Sequence, residues 1–348
     1  MTFLKRISLV ITSALLLWAA WPAGGFAPLL FIALVPLMLV EAQIAADPAK
    51  PRFAFFFYSW FGMLIFNLLT TWWIWYASEG GMILAVIFNA LFMSMALHFF
   101  HVTKKKLGTF AGYLSLLFYW TAYEFLHHRW DLSWTWLSFG NGFASWANMV
   151  QWYEFTGILG GTIWILLTNI IVSYFVNKTI FMQRRVYIKI ALIYLFPLIL
   201  IPSIISGIIK GLRQEKKNPI VVTVIQPNID PYNEKFGGMS GRDQLAKMLS
   251  LAEQKTDENT DYLIFPETAI AEGIWEHDLQ DHRFIKMIRD FKEQYPNLKI
   301  VMGISSDELY LTVEPPTKTA RAFSDGNGFY DSYNTAIQLQ QDTTIQIH

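Results

Sequence analysis

The sequence predicts a multi-pass α-helical membrane domain followed by an α/β domain. Three observations carry that reading. Of 348 residues, 53% are hydrophobic and only 16% charged, too apolar for two ordinary globular domains. Apolar runs of roughly 20 residues, the length at which a helix crosses the hydrocarbon core, recur through the first 211 positions. The zero net charge hides a division: residues 1–211 hold 13 Lys/Arg against 6 Asp/Glu, whereas residues 212–348 hold 14 against 21. The balanced charge argues against a nucleic-acid binder. The absence of cysteine excludes disulfides, thiolate metal sites and a cysteine nucleophile within these residues.

Seven spans are expected in the domain 1–211, at 7–21, 26–40, 53–75, 82–102, 107–126, 155–176 and 190–209. Lys5-Arg6 before an apolar stretch could also mark a signal peptide, but six further spans favour a retained first helix. Lys and Arg collect on alternate connections, with eleven near one side and only Arg129 in the loops of the other. Basic residues stay cytoplasmic, so seven crossings from a cytoplasmic start place everything after about Gly211 outside the cytoplasm. The outer loop 129–152 carries Trp130, Trp134, Trp136, Trp146 and Trp152, read as an aromatic belt or as an interfacial cap shaping a lipid entry. Within the spans, Asn67, Asn89 and Asn169 are expected to hydrogen-bond between helices. Glu124 is expected in an interfacial salt bridge with its neighbours His127, His128 or Arg129.

Beyond Gly211 the pattern changes to alternating strands and helices, which implies an α/β layer in the domain 212–348. Strands are expected at 219–226 (PIVVTVIQ, buried on both faces), 261–265 (DYLIF), 298–304, 330–339 and 343–348. Helices are expected at 240–255, with Ser240 as N-cap, and 282–295, while 315–327 is a loop. Glu267 follows the DYLIF strand in FPETAI, at the carboxyl end of a strand where α/β domains place their chemistry. Flanked by Phe265, Pro266 and Ile270, its carboxylate would be partly desolvated, as suits a general base; the competing reading is a cap on the following turn. Neither metal nor cofactor is called for, since His98/His101 and His127/His128 lack an accompanying carboxylate cluster in the sequence.

Four motifs, VIQPNID (224–230), IFPETA (264–269), GISSD (303–307) and YNTAIQL (333–339), resemble the first part of a nitrilase-superfamily (carbon-nitrogen hydrolase) domain. Behind seven spans, and with WTWLSFGNGFA (134–144), QWYEFTGILGG (151–161) and Asn169 in the membrane half, the arrangement is similar to the apolipoprotein N-acyltransferase family. The resemblance implies an α-β-β-α sandwich bearing a Glu-Lys-Cys triad, in the bacterial inner membrane with the soluble domain periplasmic. It implies an acyl chain moving from a membrane phospholipid, through a cysteine thioester, to the diacylglyceryl-cysteine of an apolipoprotein. Of the triad, only the glutamate maps onto this sequence, at Glu267. The resemblance further suggests Phe236 near an acyl pocket, Asn334 near the active site, and Trp275 on an arm that dips into lipid. Because the lysine and cysteine have no counterpart here, the 348 residues are expected to be an N-terminal part of the enzyme, inactive alone. A membrane-tethered nitrilase-like amidase, or a non-enzymatic scaffold or transporter, are the alternatives; no internal repeat supports a transporter.

Overall fold

The computed structural model describes residues 2–21, 24–130, 133–213, 217–235, 237–340 and 345–348. The chain divides into two units, Met1–Glu215 and Lys216–His348, and each is described by itself.

The first unit is helical. Helix α1 spans Phe3–Ala20, α2 Val35–Ala45, α3 Ala54–Thr71, α4 Glu79–Leu107, α5 Thr109–His127, α6 Tyr153–Met182 and α7 Val186–Leu212. Six stretches are long and apolar enough to cross a membrane, among them 27–45, where a short 3-10 turn precedes α2. Helix α5 is absent from that set although it has 19 residues, because Tyr113, Tyr119, Trp120, Tyr123 and Glu124 lower its mean hydropathy. Lys104, Lys105 and Lys106 end α4, and Gly108 after them adopts φ 89°, a left-handed turn that a side chain would resist.

Buried polar groups tie the helices together as the asparagines predict. Asn89 Nδ2 of α4 donates to Asn67 Oδ1 of α3 at 2.6 Å, and Tyr123 OH of α5 donates to Asn89 Oδ1 at 2.5 Å. Asn169 of α6 donates to Leu30 O at 2.7 Å and accepts from Leu34 N at 2.8 Å, which satisfies the backbone where the second span breaks. Pro202 inside α7 leaves the Leu198 carbonyl without its helical donor, and Trp164 Nε1 of α6 supplies one at 2.7 Å.

Glu124 corrects the expected interfacial salt bridge. It is fully buried and accepts hydrogen bonds from Trp120 Nε1 (2.9 Å), Phe139 N (2.8 Å) and Thr162 Oγ1 (2.6 Å), all neutral donors. Three donors converging from α5, the 3-10 segment Phe139–Met149 and α6 hold it better than the neighbouring charges, and they join those elements. Glu41, buried on α2, meets His101 Nδ1 at 2.8 Å and also Lys104 Nζ, a carboxylate partner for His101 that sequence distance conceals.

The second unit is an α/β layer. Its strands are β1 Val222–Val224, β2 Tyr262–Ile264, β3 Ile270–Trp275, β4 Lys299–Tyr310, β5 Arg321–Ala322, β6 Phe329–Leu339 and β7 Ile345–Ile347. They make one sheet in the order β1-β2-β4-β6-β5, with β3 also on β4 and β7 on β6. β1, β2, β3 and β4 run parallel, and β6 is antiparallel to β4 along eleven residue pairs. Helices α8 (Gly241–Glu253) and α9 (Arg283–Glu293) share one core with the sheet through Leu245, Met248, Phe284, Ile285, Ile288 and Phe291. Ser240 caps α8 as expected, accepting from Asp243 N at 3.2 Å.

Two strand expectations are corrected. The stretch 219–226 forms only a three-residue edge strand, with Val222 and Val224 exposed, because continuous β-branched sequence does not reveal whether a second face is covered. Residues 270–275 form β3 where no strand was read. Among the described residues the layer is one sheet with helices on one face; the second sheet of the sandwich that the resemblance implies is not among them.

Candidate functional site

Strands β2 and β3 both run parallel beside β4, and the site lies in the interruption between them. Phe265 N still donates to Val301 O at 2.8 Å, and Ala269 N donates to Gly303 O at 2.7 Å. Four steps of chain from 265 to 269 therefore face two steps of β4, so Pro266, Glu267 and Thr268 bulge out of the ladder. A bulge of this kind re-aims a side chain at the end of a strand. Thr268 sits at φ 53°, a conformation a β-branched residue adopts only when its surroundings impose it.

Gly303 is what lets the bulge lie so close. A Cβ there would stand 2.7 Å from Thr268 N and 2.8 Å from Glu267 Cα, distances backbone atoms do not tolerate. The first residue of GISSD thus has a physical reason to be glycine, one not recognised from sequence.

Glu267 is exposed, which corrects the partial desolvation expected from its apolar neighbours. The bulge carries the carboxylate away from Phe265 and Ile270, whose side chains are buried in the core beneath. It is nevertheless held: Asn334 Nδ2 of β6 donates to Glu267 Oε1 at 2.6 Å. Asn334 pairs with Ser305 across β4, so the register of the long β4–β6 ladder places the amide beside the bulge.

Next to Glu267 is a cleft of about 160 Å³ at the carboxyl ends of β1 and β2. Gln226, Pro227 and Asn228 line it from the β1 side and Pro266, Glu267 and Thr268 from the β2 side, with Lys235, Gln244 and Met248 also present. Asn228, like Thr268, has positive φ (48°), so both strands end in a left-handed residue at this cleft. Asn228 belongs to the VIQPNID motif, and its part in the site was not read from sequence. Gln244 of α8 holds the neighbouring loop, donating to Lys235 O at 2.8 Å and Met239 O at 2.9 Å.

The remaining expected residues fare differently. Phe236 lies outside the described residues. Trp275 ends β3, pairs with Asp307 and is half-buried, with Phe323 6.0 Å and Tyr330 6.1 Å away, ring centre to ring centre. It is part of an aromatic cluster on the sheet rather than of a projecting arm. The structure thus brings together Glu267 and Asn334, and does not bring Trp275 into the cleft-lining set.

A carboxylate aimed from a bulge, oriented by an amide and open to a cleft can accept a proton from a nucleophile placed in that cleft. Comparison with known proteins agrees with the motifs. Residues 13–171 match the model of the apolipoprotein N-acyltransferase N-terminal domain. Over this stretch the chain is similar to the N-terminal domain of the apolipoprotein N-acyltransferase family. A curated relative, the apolipoprotein N-acyltransferase of Chlorobaculum tepidum, is 33% identical over 275 residues, covering 76% of this chain and 49% of its own length. The chain therefore spans about half the length of the curated relative it matches. The matched residues 13–171 begin in α1 and end in α6, so the family domain embraces the Glu124 network and the Asn169 bridge.

Proposed function

We propose that this chain supplies the membrane domain and the general base of a lipoprotein N-acyltransferase, taking a fatty acyl chain from a membrane phospholipid to the diacylglyceryl-cysteine amine of an apolipoprotein. The observation that carries this reading is Glu267, lifted out of the sheet by a bulge and hydrogen-bonded by Asn334, in a chain with a family-matched membrane half. Glu267 removes the proton of a thiol, the thiolate attacks the phospholipid ester carbonyl, and the lyso-lipid alkoxide leaves with a proton as the thioester forms. The lipoprotein amine then attacks the thioester and the thiol is regenerated.

The 348 residues contain no cysteine, so by themselves they form no thioester. In this reading the thiol, and the lysine that stabilises the tetrahedral oxyanion, come from sequence beyond these motifs. The membrane is the bacterial inner membrane, and the second unit lies on its periplasmic side, as the asymmetry of Lys and Arg supports.

The amidase alternative would share Glu267 but has no use for a family-matched bundle of this size. The test is a chimera: residues 1–348 joined to the remaining length of the Chlorobaculum relative, expressed in cells depleted of their own enzyme. Mass spectrometry of a lipoprotein N-terminal peptide should show the third acyl chain with the chimera, and neither with its Glu267→Gln variant nor with the 348 residues alone. N-acylation by the Glu267→Gln chimera would remove Glu267 from the mechanism.

A further inference from the structure

We propose that a cavity between α4 and α5, at the end of the first unit opposite Lys104, Lys105 and Lys106, binds a phospholipid through hydrogen bonds from His127 and Trp134 to its headgroup or ester oxygens. This site is separate from the cleft at Glu267 and does not rest on the activity proposed for it. The cavity measures about 270 Å³, with Leu84, Ala85, Phe88 and Phe92 of α4 along one wall. Its polar side is formed by His127 at the end of α5, by Ser133 and Trp134, and by Asn89.

Those polar groups differ in what they have free. Asn89 is engaged at both ends of its amide, by Asn67 and Tyr123. His127 is 4% exposed, and among the described residues neither ring nitrogen has a hydrogen-bond partner. The indole N–H of Trp134 is buried and unpartnered in the same way. A neutral imidazole carries one donor and one acceptor, and leaving both buried and unpaired is costly. His127 is also gripped by aromatic rings, with Tyr123 at 5.1 Å and Trp130 at 5.2 Å, so it does not swing out to find water.

The mouth of the cavity indicates what fills it. Leu84 and Phe88 line it and are also exposed, at 57% and 48%, on a helix apolar enough to cross the membrane. It therefore opens toward hydrocarbon rather than toward solvent. Water alone would satisfy the polar side but would leave the apolar wall of Leu84, Phe88 and Phe92 hydrated. An amphiphile meets both demands, with chain against Leu84, Phe88 and Phe92 and acceptor oxygens at His127 and Trp134. A phospholipid offers several acceptors in its phosphodiester and ester groups, enough for donors on two segments.

The test uses the 348-residue chain in nanodiscs of phosphatidylethanolamine and phosphatidylglycerol, doped with a phosphatidylethanolamine that carries a diazirine near the ester end of one acyl chain. After irradiation, adducts should be denser on residues 84–92 than on the lipid-exposed stretch around Leu192 and Ile193 of α7. His127→Leu should reduce the α4 adducts about fivefold, as expected for loss of a hydrogen bond, and leave the α7 adducts unchanged. Ala85→Phe, which keeps His127 but fills the cavity, should do the same and decides the matter should His127→Leu fail to insert. His127→Asn, still able to donate, should retain labelling. Equal labelling of α4 and α7, α4 labelling that survives Ala85→Phe, or displacement of the probe by an equimolar fatty acid would overturn the proposal.

Discussion

Gly303→Ala tests the physical origin of the site more sharply than substitution of the carboxylate. The new methyl carbon would lie 2.7 Å from Thr268 N, 2.8 Å from Glu267 Cα and 3.2 Å from Glu267 C. Carbon contacts settle at about 3.5–4.0 Å, so the bulge must retreat by roughly 0.7–1 Å. The clashing atoms are backbone, so no rotamer change relieves them. Overpacking of this kind costs about 1–3 kcal/mol of stability, and a misplacement of about 1 Å at a reacting group costs about 10²-fold in rate. The chimera with Gly303→Ala should therefore lose about two orders of magnitude in acyl transfer, while the Ala269 amide, bonded to Gly303 O at 2.7 Å, exchanges faster with deuterium. Gly207→Ala, where an added Cβ meets nothing within 4 Å, is the control and should change neither. Wild-type rate and wild-type Ala269 protection in Gly303→Ala would refute the argument that close approach at Gly303 positions Glu267.

Asn334→Ala removes the donor that orients Glu267 and should slow acyl transfer about tenfold, the worth of one hydrogen bond to a charged group in a partly wet site; Asn334→Asp, which sets a second carboxylate against Glu267, should slow it further. Glu41→Ala strips the partner from buried His101 and partly buried Lys104 and should destabilise the first unit by about 3 kcal/mol in detergent unfolding, with Glu41→Gln intermediate. The Asp331 carboxylate is held below its ordinary range, chiefly by the hydrogen bond from Thr317 Oγ1 at 2.6 Å. The unfolded chain then binds the proton more readily, so this contribution is present above the ordinary aspartate value of about 3.9 and is lost as pH falls through the lower folded value. Amide exchange at Thr319 should accelerate across that acidic interval and stay flat above it.

The membrane half was legible because one physical demand, apolar length, dominates its sequence. Its internal asparagines could be assigned for the same reason: a buried amide among apolar helices has few partners other than another helix. Glu124 was misread because proximity in sequence to His127, His128 and Arg129 suggested charge pairing, whereas helical geometry turns it toward Thr162 and the Phe139 amide, 38 and 15 residues away. The position of Glu267 at a strand end could be read from DYLIF and FPETAI. Its exposure could not, because the bulge that lifts it depends on pairing with β4, whose partners are more than 30 residues distant. Gly303 and Asn228 left faint signals, a glycine opening GISSD and an asparagine after a proline, and both gain meaning only from the backbone they permit. Asn334 was placed near the site by resemblance, and the β4–β6 register supplies the reason.

The proton-accepting role of Glu267 is tested most directly by trapping the acyl-enzyme. The chimera is mixed with phospholipid bearing a radiolabelled acyl chain, quenched over a time course, and assayed for hydroxylamine-sensitive label on the protein. A general base contributes about 10²–10⁴-fold, so Glu267→Gln should slow appearance of the label by at least that lower factor while the protein inserts at normal abundance. Label accumulating in Glu267→Gln at the unmodified rate would contradict the assignment.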